Sequence, residues 1–103
     1  AVCWFERFLF NDGTGGPMRA LRGLGLIKGG ACPHYSTETE RRAALHRAVA
    51  DQTMPATHAI DDAMAVLFDA NGPLRICAAE PGALAYHITR ARDGKACETA
   101  LSL

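Results

Sequence analysis

The chain has 103 residues, 49% of them hydrophobic and 21% charged, with eleven basic and eleven acidic side chains in balance. That is the mix of an ordinary globular protein and enough length for one small domain. The balance leaves no net field to draw in nucleic acid or an anionic membrane, and no apolar run approaches the ~20 residues of a membrane-spanning helix.

The opening, Ala1 to Arg7, reads as a short buried helix. It begins mid-pattern, without Met and without a basic leader, so it is expected to be an interior segment of a longer, cytoplasmic protein rather than a signal peptide. Asn11 to Pro17 is a loop punctuated by Gly and Pro. Leu24 to Ile27 is a short apolar strand, and Lys28-Gly29-Gly30 is expected to turn the chain into Ala31-Cys32 and then Pro33-His34-Tyr35. Ser36 or Thr37 caps the next helix, and Thr37 with Glu40 has capping-box spacing. Ala44, Leu45, Ala48 and Val49 mark the buried stripe of that helix to about Ala50. Pro55 ends it.

Thr57 to Ile60 reads as a strand that ends at Asp61-Asp62. Ala65 to Phe68 and Leu74 to Ala78 form a hairpin about the turn Asp69-Ala70-Asn71-Gly72. Leu84 to Thr89 is another strand, and Ala96 to Leu101 pairs back after a turn over Ala91-Arg92-Asp93-Gly94. The fold class is therefore α/β in the first part, closing on a β-rich meander over the last ~40 residues.

Four histidines and four cysteines carry the candidate chemistry. No Cys-x-x-Cys pair is present, so a zinc or redox motif is unsupported, and four reduced, mostly buried thiols are expected of Cys3, Cys32, Cys77 and Cys97. None of them has an evident helix N-terminus or cation to lower its pKa. His46 falls in a helix and His87 in a strand, where each reads as an ordinary solvated or half-buried residue, and His58 precedes a strand. His34 differs, because it stands at a strand end just before a helix, where catalytic groups collect in α/β sheets. Asp61-Asp62 stands at a second strand end. A His and an Asp so placed suit the base and orienting acid of a hydrolase, and the chain then holds two-thirds of a triad.

Five stretches in order resemble the peptidase E (aspartyl dipeptidase) family of serine peptidases. They are Cys3-Trp4-Phe5-Glu6, Leu21-Arg22-Gly23-Leu24-Gly25-Leu26, Cys32-Pro33-His34-Tyr35 with Glu40-Arg41-Arg42, Ala59-Ile60-Asp61-Asp62, and Gly82-Ala83-Leu84-Ala85-Tyr86. In that family Cys-Trp-Phe-Glu follows the nucleophile in a Gly-x-Ser-Ala-Gly pattern, so the resemblance implies a serine just upstream of Ala1. It implies that His34 is the catalytic base and Asp62 the triad acid, with Asp12 a rival acid and Arg41 a contact for an acidic substrate side chain. It further implies the C-terminal half of a mostly parallel-sheet sandwich, residues 1–103 forming part of a single domain. Its partner would be the N-terminal portion of the same protein, within one polypeptide or as a separate chain, and the reading allows a homo-oligomer. The activity implied is hydrolysis of Asp-X dipeptides by acyl transfer, with no metal or cofactor. Cyanophycinase-like cleavage of a β-aspartyl linkage and a non-catalytic binding domain of the same fold are the alternatives. The family usually has Gly after the two acids, where this chain has Ala63.

Overall fold

The computed structural model describes residues 2–11 and 18–102. Asp12 and most of the expected glycine-rich loop lie outside them. Six strands form one mixed sheet in the order β2-β1-β3-β4-β7-β8, and β5 and β6 form a separate hairpin. Strands β1 (Phe5–Phe10), β3 (Ile27–Pro33) and β4 (Thr57–Ile60) are parallel and make the centre of the sheet. Strand β2 (Arg19–Arg22) is antiparallel at one edge, and β7 (Ala85–Arg90) and β8 (Ala96–Ala100) are antiparallel at the other. The fold is thus the expected α/β sheet, with its parallel part confined to three central strands.

The crossover from β3 to β4 runs through α1 (Thr39–Ala50), as a parallel pairing requires. The helix packs Leu45 and Val49 onto Leu9, Cys32, Ala59 and Ile88 of the sheet, with Met54 and Tyr35 closing the ends of this core. Burial of such side chains contributes roughly 1.5–3 kcal/mol each.

Three expectations fail for local reasons. Val2–Trp4 is a single 3-10 turn and Phe5–Phe10 a strand, because an aromatic-rich run satisfies β propensity and sheet pairing better than a short helix would. Leu24 and Leu26 are not a strand and stand 66% and 62% exposed. The strand that follows, β3, runs straight through Lys28-Gly29-Gly30. Its glycines are there for close approach: a Cβ on Gly30 would collide with Thr57 Oγ1 and come within 2.8 Å of Met54 Cε. The second half follows the alternation in the sequence. Strand β5 is Met64–Asp69 and β6 is Gly72–Ala78. At their turn the Asn71 amide donates to Asp69 Oδ1 at 2.7 Å, and Gly72 takes a φ of 125°.

Candidate active site

His34 and Asp62 follow the C-terminal ends of the neighbouring parallel strands β3 and β4. Pro33 pairs with Ile60 in the last register step, and the Tyr35 amide then donates to the Ile60 carbonyl at 3.2 Å. Twenty-eight residues apart in the chain, the two side chains meet with His34 Nδ1 2.5 Å from Asp62 Oδ1.

The surrounding loops hold this pair in place. Asp62 Oδ2 accepts from the Thr37 hydroxyl at 2.9 Å. Asp61 works on the backbone instead: Oδ1 accepts from the Ser36 amide at 3.2 Å and Oδ2 from the Leu84 amide at 3.1 Å. One carboxylate thus steadies the imidazole while its neighbour ties together the loops that carry both. The hydrogen bond to His34, then that to Thr37, holds the Asp62 carboxyl below its ordinary range, so it is a carboxylate at neutral pH. With Nδ1 on the acid, the remaining ring nitrogen of His34 is left to exchange a proton with a substrate or nucleophile.

Two backbone positions in the site are strained. His34 has φ 55° and Ala63 φ 64°, in the left-handed region that L-residues enter at a cost. Such conformations persist where the surroundings dictate them, and they gather at functional sites. A cavity of about 450 Å³ opens beside the pair, with Val2, Pro33, Ile60, Met64 and Val66 on its walls. A larger cavity, about 610 Å³, lies elsewhere among Arg7, Arg22 and Arg90 and includes neither His34 nor Asp62.

The other sequence candidates fall out differently. Arg41 does not face the cavity and is 3% exposed. Its Nε donates to Glu38 Oε2 at 2.8 Å and another guanidinium nitrogen donates to the Leu9 carbonyl at 3.2 Å. In this structure Arg41 is a buried tie between α1 and β1. Asp12 lies outside the described residues. The four cysteines are free, but only Cys32 is buried; burial pushes its thiol up to about 12, which leaves it protonated and unreactive at neutral pH. The expected cap is corrected too: Glu38 stands at the N-cap without a side-chain cap, because Thr37 is used on Asp62.

Sequence reasoning missed the network behind the site. The Tyr35 ring is fully buried. Its hydroxyl donates to Glu98 and accepts from His46 Nε2 at 2.8 Å. Arg42 then pairs with Glu98 at 2.5 Å and lies over the Tyr35 ring. His46 is therefore a bonded residue rather than a solvated one. The only sequence signal was the i, i+4 placement of Arg42 and His46 on one helix face. Their partner Glu98 is more than fifty residues away and invisible to local pattern.

The model of peptidase family S51 matches residues 1–74, which include the whole His34 loop, Asp61 and Asp62. The chain belongs to peptidase family S51. An uncharacterized peptidase of Bacillus subtilis (strain 168), YgaJ, is 33% identical over 91 residues, which cover 88% of this chain and 39% of YgaJ. The chain therefore spans well under half the length of this relative. No solved structure matches at a significant level. Among the described residues no helix is long and apolar enough to cross a membrane.

Proposed function

We propose that the S51 protein to which this chain belongs is a serine peptidase acting on short peptides with an N-terminal aspartate, and that this chain supplies its base and orienting acid. The observation that carries the proposal is the 2.5 Å contact between His34 Nδ1 and Asp62 Oδ1 at adjacent strand ends. A base whose tautomer is fixed by a buried or bonded acid is what activates a hydroxyl that is weakly nucleophilic at neutral pH.

In this reading a serine from the portion of the protein upstream of Ala1 attacks the peptide carbonyl. His34 takes the serine proton and later gives it to the leaving amine. Asp62 holds the imidazole and stabilises the imidazolium formed in between. Thr37 keeps the second oxygen of Asp62 occupied, so that the acid presents a single face to His34. Backbone amides at the nucleophile stabilise the oxyanion, a contribution of ~10²–10³ in rate per donor. No step calls for a metal or a cofactor.

The test is a panel of dipeptides offered to the full-length protein: Asp-Leu, Glu-Leu, Asn-Leu, Ala-Leu and a β-aspartyl dipeptide. The expected result is turnover of Asp-Leu, with the isosteric but neutral Asn-Leu cleaved at least about a hundredfold more slowly. Turnover restricted to the β-aspartyl peptide would replace this reading with the cyanophycinase-like one, and no turnover of any member would overturn it.

A further inference from the structure

His34 and Tyr35 are chain neighbours with opposite surroundings. The His34 side chain is 56% exposed beside Asp62, whereas Tyr35 is fully buried in the core. The backbone between them needs support, because His34 sits at φ 55°, a conformation that persists in a residue with a Cβ only where the surroundings dictate it. Two backbone hydrogen bonds contribute, from the Tyr35 amide to the Ile60 carbonyl at 3.2 Å and from the Glu38 amide to the His34 carbonyl at 3.3 Å. Both are at the long end of the range for such bonds.

The firmer hold is the Tyr35 side chain. Its hydroxyl donates to Glu98 on β8 and meets His46 Nε2 of α1 at 2.8 Å. Glu98 is fixed in turn by a two-point grip from Arg42, whose Nε reaches one carboxylate oxygen at 3.1 Å and whose second nitrogen reaches the other at 2.5 Å. The Arg42 guanidinium lies 5.1 Å from the centre of the Tyr35 ring and 5.6 Å from that of Tyr86 on β7, and the two rings are 5.4 Å apart. Burial, then Glu98, raise the Tyr35 phenol above its ordinary value, so it stays a donor at neutral pH. Burial opposes charge on Glu98, but the bonds from Arg42 and Tyr35 outweigh it and hold the carboxyl below its ordinary range, so it stays an acceptor. Tyr35→Phe would fill the same space. What the hydroxyl adds is direction, since a hydrogen bond to a carboxylate is both strong and narrow in geometry.

We propose that Tyr35, anchored through its hydroxyl to Glu98, is a positioning residue for His34: it fixes the backbone from which the imidazole reaches Asp62. The inference rests on the reading of His34 as the general base. With its backbone fixed and Nδ1 on Asp62, the ring has one place to put its other nitrogen. With the anchor released, Nδ1 can keep its contact while the free nitrogen swings off the line to the nucleophile. A misplacement on the order of 1 Å costs about a hundredfold in rate. Tyr35 does not line the cavity beside the pair, so the effect falls on kcat rather than on KM.

The test is Asp-Leu kinetics of full-length Tyr35→Phe, Glu98→Ala and the double variant, read beside melting curves and the imidazole ¹⁵N shifts of His34. The expected result is a fall in kcat of about ten- to hundredfold in each single variant, with KM within about twofold. The double variant is expected to be no slower than the worse single one, because both cut the same link. Glu98→Gln, which keeps an acceptor for the hydroxyl, is expected to recover most of kcat. The His34 shifts, which in the wild type report one tautomer with the proton on Nδ1, are expected to move toward the average of two. If the variants lose Tm but keep kcat per folded molecule and wild-type His34 shifts, Tyr35 is a packing residue and the proposal is wrong. Glu98 is on the edge strand β8 with its side chain 22% exposed, so Glu98→Ala carries the test where Tyr35→Phe fails to fold. Should Asp-Leu not be turned over, or full-length His34→Ala stay active, the peptidase reading falls instead, and the His34 shifts alone decide whether Tyr35 orients the ring.

Discussion

Ala63 occupies a position where the chain needs a left-handed turn directly after the two acids, and it meets that need at φ 64°. Its amide neighbours are committed: the Met64 amide donates to the Asp61 carbonyl at 3.3 Å, and the Ala63 carbonyl accepts from Ala79 at 2.7 Å. The left-handed conformation costs an alanine ~1–2 kcal/mol, and glycine gives part of that back as lost chain entropy. Ala63→Gly is therefore expected to stabilise the protein by about 0.5–1 kcal/mol, read as a raised denaturation midpoint at unchanged slope. An unchanged or lowered midpoint would mean that the turn is not strained in solution. The departure from the glycine usual in the family was visible in the sequence, but its consequence, a positive φ kept by a residue with a Cβ, needed the structure. His34 carries the same kind of strain at φ 55°. There the backbone is held on both sides, by the Tyr35 amide on Ile60 and by the Glu38 amide on the His34 carbonyl.

At the scale of elements, alternation of apolar and polar residues made β4, the β5–β6 hairpin, β7 and β8 legible. Each is short, bounded by Gly, Pro or Asp, and patterned with a period of two. The helix was legible from Ala44, Leu45, Ala48 and Val49. Its start was not, since Thr37 fits a capping box by spacing yet spends its hydroxyl on Asp62. A tertiary contact here overrides a local one. Strand β3 was misread because Gly-Gly usually punctuates a chain. In a parallel sheet covered by a helix, glycine serves equally to let a neighbour approach. Gly30→Ala tests this account: the new Cβ meets Thr57 Oγ1 and Met54 Cε, both on fully buried residues. Overpacking of this kind costs roughly 1–3 kcal/mol, measurable by urea unfolding. A loss below about 0.5 kcal/mol, the range of a neutral surface change, would show that the glycine is dispensable and β3 loosely packed. The Tyr35–Glu98 link, joining the His34 loop to the last strand, had no local signature at all.

For the whole molecule, one face of the sheet is covered by α1, while the other carries Phe5, His58 and His87 beneath the β5–β6 hairpin. Burial of His58 couples this face to pH. The folded protein keeps the ring neutral down to about 4, against an ordinary value of 6.5, because desolvation and then His87 oppose its charge. Between those values the unfolded chain binds a proton that the folded one does not. Stability therefore rises with pH across that window, is complete above it, and is lost as the pH falls through it. His58→Phe should flatten the acid limb of a plot of stability against pH from 4 to 6.5; an unchanged limb would place the responsible group elsewhere. Several large apolar side chains, among them Trp4, Leu67, Leu74 and Leu84, are 45–57% exposed. We propose that the remainder of the S51 protein covers part of this surface, in keeping with the much greater length of YgaJ.

The central claim is that His34, oriented by Asp62, is the general base of a serine peptidase. The measurement that tests it most directly is kcat/KM for Asp-Leu in full-length His34→Ala, taken beside a melting curve of the same preparation. The account predicts a loss of more than about a thousandfold per folded molecule, with Tm nearly unchanged because the imidazole is largely exposed. Retention of more than about a tenth of wild-type kcat/KM, less than ~1.4 kcal/mol of lost transition-state stabilisation, would contradict it.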